Sequence, residues 1–192
     1  MFSQLKPAII MLMLLTILTG VVYPLLVTFA AQSLFPAQAN GSFIKVGDRI
    51  VGSELIGQSF TRADYFWGRP SATANAPYNA EASGGSNLGP SNPALRDKVK
   101  DRIKMLRAVD PLNTKAIPID LVTASASGLD PHISLAAAEF QIMRVAHARH
   151  QSVENIQVLV LENLEPRQWS VLGEPRVNVL KLNLALDSQA IQ

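Results

Sequence analysis

The 192-residue chain contains no cysteine. That absence excludes a disulfide scaffold, a thiol nucleophile, an iron–sulfur cluster and a thiolate zinc site. It leaves the redox compartment open, because a cysteine-free chain tolerates either side of a membrane. Charge is also scarce, at 17% of residues, where soluble domains carry about a quarter. With 48% hydrophobic residues the shortage is not that of a disordered chain, which would be rich in charge and poor in apolar groups. A polytopic membrane protein is excluded as well, since several spans would dominate a chain of this length. The net charge is only +2, which is not the field of a nucleic-acid binder.

The missing charge has one location. No Asp, Glu, Lys or Arg lies between Lys6 and Lys45, and every charged residue except Lys6 falls from Lys45 onward. Residues 8–31 read AIIMLMLLTILTGVVYPLLVTFAA, longer than the roughly 20 apolar residues that cross a bilayer as a helix. Gly20 and Pro24 are tolerable in such a helix, and Tyr23-Pro24 predicts a kink. A cleaved signal peptide is the rival reading, with Lys6 as its charged region and Ala37-Gln38-Ala39 as the cleavage pattern. The apolar run, however, exceeds the usual 7–15 residues of a signal core, which favours a retained anchor. Lys6 on one side and Lys45 and Arg49 on the other barely orient the span. The short N-terminal tail tips the balance toward exporting the rest. The expected organisation is an anchor over 1–35 and a domain over 36–192.

Beyond the span, Val46-Gly47-Asp48-Arg49 predicts a β-hairpin turning at Gly-Asp. Residues 68–93 are dense in Gly, Pro, Ser, Asn and Ala and predict a long loop, steadied by nearby Tyr65, Phe66, Trp67 and Tyr78. Asn92-Pro93 opens a helix, and Leu95, Val99, Ile103, Leu106 and Val109 give it one apolar stripe as far as Asp110-Pro111. IPIDLVT at 117–123 reads as a strand and TASASGLDP as a second polar loop. An Ala-rich helix follows over 134–150, and Ser152 caps another through Asn163. Val177–Val179 reads as a final strand, and the LKLNLALD tail as strand or helix. Mixed elements without βαβ alternation predict an α+β domain behind a single N-terminal transmembrane helix.

Motif tests mostly fail. Gly84 and Gly89 have phosphate-loop spacing, but Pro90-Ser91 stands where the lysine is required; Gly47 and Gly52 are followed by Ser53-Glu54. His147 and His150 can share a helix face, yet His132 is remote and two ligands are an incomplete metal site; they read more simply as complements to a helix C-terminus. Ser42 and Lys45 form an isolated S-x-x-K without its partner motifs. No catalytic residue and no metal ligand is expected.

The polar loops remain as partner- or ligand-binding candidates. The first offers Arg69, Ser71, Tyr78 and Asn79, then Ser83, Gly84, Gly85, Ser86 and Asn87, whose backbone N–H groups suit an anion or another chain. The second offers Thr123, Ser125, Ser127 and Asp130. The alternative is that the two loops merely satisfy each other's polar groups.

Long ordered blocks of this sequence carry a resemblance. They are YPLL at 23–26, QANGS at 38–42, LIGQSF at 55–60 and YFWGRPSATANAPYNAEASGGSNLGPSNPAL at 65–95. LVTASASGLDPHIS at 121–134, AAAEFQIMRVAHAR at 136–149 and VNVLKLNLALD at 177–187 complete them. The chain resembles the C-subunit family of the bacterial Kdp complex, the high-affinity potassium-transporting P-type ATPase. The likeness runs from the span to the tail, and QANGS in that family follows a retained anchor.

The resemblance implies a non-catalytic accessory subunit of the inner membrane, in contact with lipid and with two partner subunits. In that family a channel-like A subunit carries potassium and a B subunit hydrolyses ATP. The C subunit stabilises them and acts as a catalytic chaperone that raises the B subunit's ATP affinity. It implies no cofactor of the chain's own, with ATP reached through the complex, and an extracytoplasmic domain. Cytoplasmic ATP does not reach such a domain, so either the effect is transmitted through the membrane helix or the topology differs and the SGGSN loop at 83–87 touches ATP. The alternative role is a cap over the potassium entrance with no nucleotide contact.

Overall fold

The structure, a computed structural model, describes residues 2–189. These residues fall into two compact units divided between Val51 and Gly52. The first is dominated by a continuous helical run, Leu5–Leu34, long and apolar enough to cross a membrane, with none of it buried against the protein. It comprises α1 (Leu5–Ile17), a π-turn (Leu18–Val22) and α2 (Tyr23–Leu34). Pro24 explains the π-turn: its ring has no N–H to donate and crowds the carbonyl four residues back, so the preceding turn widens. The sequence predicts a kink at Tyr23-Pro24; the backbone there takes up the proline by widening. Thr19 Oγ1 donates to the Leu15 carbonyl at 2.7 Å, as a hydroxyl in an apolar helix does for want of water.

After α2 comes one helical turn, α3 (Pro36–Ala39). Asn40 Nδ2 donates to Gln32 Oε1 at 3.0 Å and to the Pro36 carbonyl at 2.7 Å, tying that turn to the end of α2. The expected hairpin follows, β1 (Phe43–Val46) and β2 (Arg49–Ser53). Gly47 takes φ +60° at its turn, a conformation that glycine adopts without the Cβ clash other residues suffer.

The second unit is α+β. Its sheet has order β3-β5-β4, from β3 (His132–Ser134), β4 (Leu164–Glu165) and β5 (Arg176–Asn178). Both pairings are antiparallel, with Ile133 opposite Val177 on one side and Leu164 opposite Val177 on the other. The helices are α4 (Pro93–Val109), α5 (Leu135–Arg149), α6 (Val153–Glu162) and α7 (Val179–Gln189). Three begin on side-chain caps, two of which, Asn92 and Ser152, the sequence announced. Asn92 Oδ1 accepts from Ala94 N–H, Ser134 Oγ from Ala137 N–H and Ser152 Oγ from Asn155 N–H, each worth about 1 kcal/mol. α5 ends on His150 at φ +54°, and His147 and His150 are both exposed there.

The core joins Ile133 and Val177 of the sheet to Ala137, Ala138 and Val145 of α5, Ile156 and Val160 of α6 and Leu182 and Leu186 of α7. Alanines on α5 let its neighbours approach closely. Phe66, Trp67, Leu106 and Leu121 complete the core from outside the sheet.

One expectation is corrected and two are sharpened. Residues 117–123 are not a strand: Ile119–Leu121 form a 3₁₀ turn. Pro118 cannot donate to a ladder, and Asp120 Oδ2 is committed to the Ser134 N–H at 2.8 Å. In a strand Ile119 and Leu121 would share a face, yet Ile119 is 75% exposed and Leu121 fully buried. The tail resolves to a helix, with Val179, Leu182, Asn183 and Leu186 buried at helical spacing and the Asn178 side chain accepting from Lys181 N–H near its start. Finally, the α4 stripe buries only Leu106; Leu95 and Val109 line an open groove instead.

Candidate functional site

The site begins with a backbone segment that has no strand partner. Phe66 and Trp67 are buried, so their amide groups need hydrogen bonds where there is no water. Two buried side-chain amides supply them. Asn183 of α7 accepts from Phe66 N–H at 2.8 Å and donates to its carbonyl at 3.0 Å. Gln141 of α5 does the same for Trp67, at 2.8 and 3.1 Å. Each amide stands in for one residue of a neighbouring strand. Arg144, three residues beyond Gln141, donates to the carbonyls of Ala63 and Tyr65 and to Gln141 Oε1. Burial pushes its guanidinium down to about 10.

Arg149 extends the clasp, donating to the Asp64 carbonyl and to Asp187, which also accepts from the Tyr65 hydroxyl at 2.9 Å. None of Gln141, Asn183, Arg144 and Arg149 is among the sequence candidates. The available signal was a lone amide in each of two otherwise apolar helix faces, EFQIM and LKLNLAL.

From this clasp the first loop departs, and the second meets it. Gly84 N–H donates to the Ser127 carbonyl at 2.8 Å, and Ser83 Oγ to the same oxygen at 3.1 Å. Ser71 Oγ donates to the Gly128 carbonyl at 2.7 Å and accepts from Tyr78 N–H. Tyr78 Oη donates to the Arg69 carbonyl at 2.6 Å; burial raises its pKa. Asn79 caps a short 3₁₀ turn, Ala80–Ala82, and bonds the Ala74 carbonyl. Gly128 sits at φ +69°, and a Cβ there would lie 2.6 Å from Thr73 and 2.8 Å from the Gly84 carbonyl. A Cβ on Gly85 would lie 2.9 Å from the Ala126 carbonyl. The small residues of both loops are thus required by their mutual approach.

On the second loop, Ser125 Oγ accepts from Gly128 N–H and Ser127 Oγ from Leu129 N–H, while Thr123 Oγ1 donates to the Ile119 carbonyl. Asp130 bonds Arg69 at 3.2 Å and His132 N–H at 3.0 Å. Burial works to raise the Asp130 pKa, but the His132 hydrogen bonds and the Arg69 charge outweigh it and hold the carboxyl below its ordinary value. His132 lies between Asp130 and Glu165, and Glu165 also meets Arg176 and Lys181. The structure therefore brings Arg69, Ser71, Tyr78, Asn79, Ser83, Gly84, Gly85, Ser125, Ser127 and Asp130 into one interlocked web, while Thr123 bonds back to Ile119 and lines the groove. Ser86 lies on its groove side, and Asn87 takes a left-handed φ of +51°.

Beside the web is a groove of about 700 Å³. Phe60, Trp67, Pro70, Pro77 and Val122 supply apolar wall, and α4 contributes Leu95, Lys98, Arg102 and Met105. The Arg102 and Arg144 guanidinium carbons lie 5.5 and 4.7 Å from the Trp67 ring centre, within cation–π range. Arg102 donates to the carbonyls of Leu121 and Gly68, and its burial lowers its pKa. Arg69 Nε is buried without a hydrogen-bond partner. Among the described residues no group of three or more His, Asp or Glu converges to hold a metal. The groove thus has an apolar wall and a charged rim, with Arg69, Lys98 and Arg102 beside Asp101.

A family model described as the K⁺-transporting ATPase c chain matches residues 5–188. The potassium-transporting ATPase KdpC subunit of Polynucleobacter asymbioticus is 58% identical over 97% of this chain and 99% of its own. Those of Polaromonas naphthalenivorans and Variovorax paradoxus are 62% and 59% identical, over 98% and 99% of this chain and 96% and 98% of theirs.

Proposed function

The chain belongs to the KdpC family of the potassium-transporting ATPase, and from that premise we propose that it is a non-catalytic accessory subunit that holds the transport complex together. In this reading residues 1–35 anchor it in the inner membrane and residues 36–192 form an extracytoplasmic domain. It contacts a channel-like A subunit and an ATP-hydrolysing B subunit, and raises the ATP affinity of the latter as a catalytic chaperone. The observation that carries the reading is the family match itself, which runs through both units of the chain, from the apolar helix into α7.

The nucleotide effect is indirect. The Gly84 N–H is committed to the Ser127 carbonyl, and Gly85 is packed on the Ala126 backbone. The Gly-rich loop is therefore filled by the chain's own second loop where a phosphate cradle would need open N–H groups. The same observation favours the second reading, a cap over the potassium entrance that never touches nucleotide.

Co-purification of the assembled complex tests the first part. Removing residues 1–35 is expected to abolish recovery of the other subunits with this chain; a truncated domain that assembles normally overturns the proposal. Titrating the full chain with ATP tests the second. Transmission predicts no saturable binding at millimolar nucleotide, and saturable binding would replace it with direct contact.

A further inference from the structure

The loop between β4 and β5 does the opposite of the polar web. Gln168 and Leu172 exchange backbone hydrogen bonds at 2.9 Å in both directions, closing a tight hairpin. At its tip Trp169 and Ser170 take φ of +50° and +64°. Such turns ordinarily carry Asn or Gly, and left-handed backbone at a bulky residue is a genuine outlier. The strain purchases no burial: Trp169 is 85% exposed, Val171 72% and Leu172 53%. No charge lies between Arg167 and Glu174, and those two pair across the hairpin's base at 2.6 Å. The result is a neutral, apolar, backbone-closed protrusion with a tryptophan at its end.

We propose that this hairpin tip is a second membrane contact, inserting Trp169, Val171 and Leu172 into the interfacial layer of the bilayer. Tryptophan concentrates at that depth because its ring is apolar while its N–H still requires a polar partner. The paired Arg167 and Glu174 then lie at the headgroup level with no net charge to desolvate. The occupant is lipid because the chain brings lipid with it. The Leu5–Leu34 helix has the length and composition of a span, and a tethered surface is presented at high effective concentration, so that a weak anchor suffices. A convex tip also needs no matching cavity in a bilayer. The inference rests on the membrane-anchored part of the proposed function and on none of the subunit contacts.

The chain has only two tryptophans, and the other, Trp67, is 3% exposed. The full chain is reconstituted alone into phosphatidylcholine vesicles, plain or brominated near the headgroup end of the acyl chains. The emission of W169F, which retains Trp67, is subtracted from that of the native chain. Insertion predicts that Trp169 loses roughly half or more of its emission in brominated vesicles, at the interfacial depth typical of tryptophan, and is poorly quenched by aqueous iodide. A Trp169 signal that bromine leaves unchanged and iodide quenches overturns the proposal. So does a signal protected only after the other subunits are added, which assigns the tip to a protein contact. Flotation of the same vesicles separates the two readings. A chain that does not float overturns the anchor and this contact together, and one that floats without bromine quenching overturns this contact alone.

Discussion

The helix over residues 5–34 and the backbone at Phe66-Trp67 face the same physical problem, peptide groups in a place without water, and solve it differently. The helix satisfies its N–H and C=O groups internally and needs only apolar side chains around them, so many residues share the task and no single one decides it. At Phe66-Trp67 the task falls on two amides, Gln141 and Asn183, each 1% exposed. A distributed solution is robust and easy to read in composition. A concentrated solution is fragile, and reading it in a sequence requires knowing which two residues meet.

The sharpest way to break the contrast is Gln141→Leu. It leaves the Trp67 N–H and C=O without partners and deprives Arg144 of an acceptor. Unsatisfied buried groups cost about 1–3 kcal/mol each, so a loss of roughly 3 kcal/mol is expected, measured by urea unfolding followed at Trp67. A Gln141→Leu chain as stable as the native one would show that the clasp contributes nothing. Leu14→Ala in the helix should leave vesicle flotation unchanged.

Glycine substitutions make a smaller test within one region. Gly128→Ala introduces a Cβ at positive φ, 2.6 Å from Thr73, and should cost about 1–3 kcal/mol. Gly89→Ala meets nothing within 4 Å and has no positive φ, so its effect should stay within about 1 kcal/mol and favour the folded state. Equal melting temperatures for the two variants would contradict the interlocked web.

The smallest expected effect is electrostatic. Because the Asp130 pKa is lowered in the folded state, its contribution is fully present above the unfolded value near ~4 and is lost as pH falls through the folded value. Asp130→Asn should therefore flatten the acid limb of a pH–stability profile while lowering stability at neutral pH. A variant whose acid limb is unchanged would remove Asp130 from the web's energetics.

Legibility follows the same division. The span was readable from charge depletion, three helix starts from Asn92, Ser134 and Ser152, and the hairpin from Gly47-Asp48, because each signal is local. The α+β class followed from the mixture of elements. β3 and β4 were not readable, since strands of three and two residues are too short to show alternation. The 117–123 segment misled because its apolar residues mimic a strand while Pro118 and Asp120 are committed elsewhere. The two loops were picked out by composition, but their mutual bonding was not, because Ser83 and Ser127 are brought together by the fold and not by spacing. Gln141 and Asn183 were invisible for the reason that makes them matter: one polar residue in an apolar helix looks like noise until the backbone it serves is in place.

The π-turn at Leu18–Val22 has a geometric consequence for anything that recognises the helix. A wide turn accommodates one extra residue, and one residue is an angular step of about 100°. A stripe traced along α1 therefore continues, past the turn, on side chains that an uninterrupted helix would point elsewhere. The two halves of the span are out of phase by design of the proline, so a neighbour packed along its whole length must read two registers rather than one. Deleting a single residue between Leu18 and Val22 would bring them back into phase by turning one half of the helix against the other.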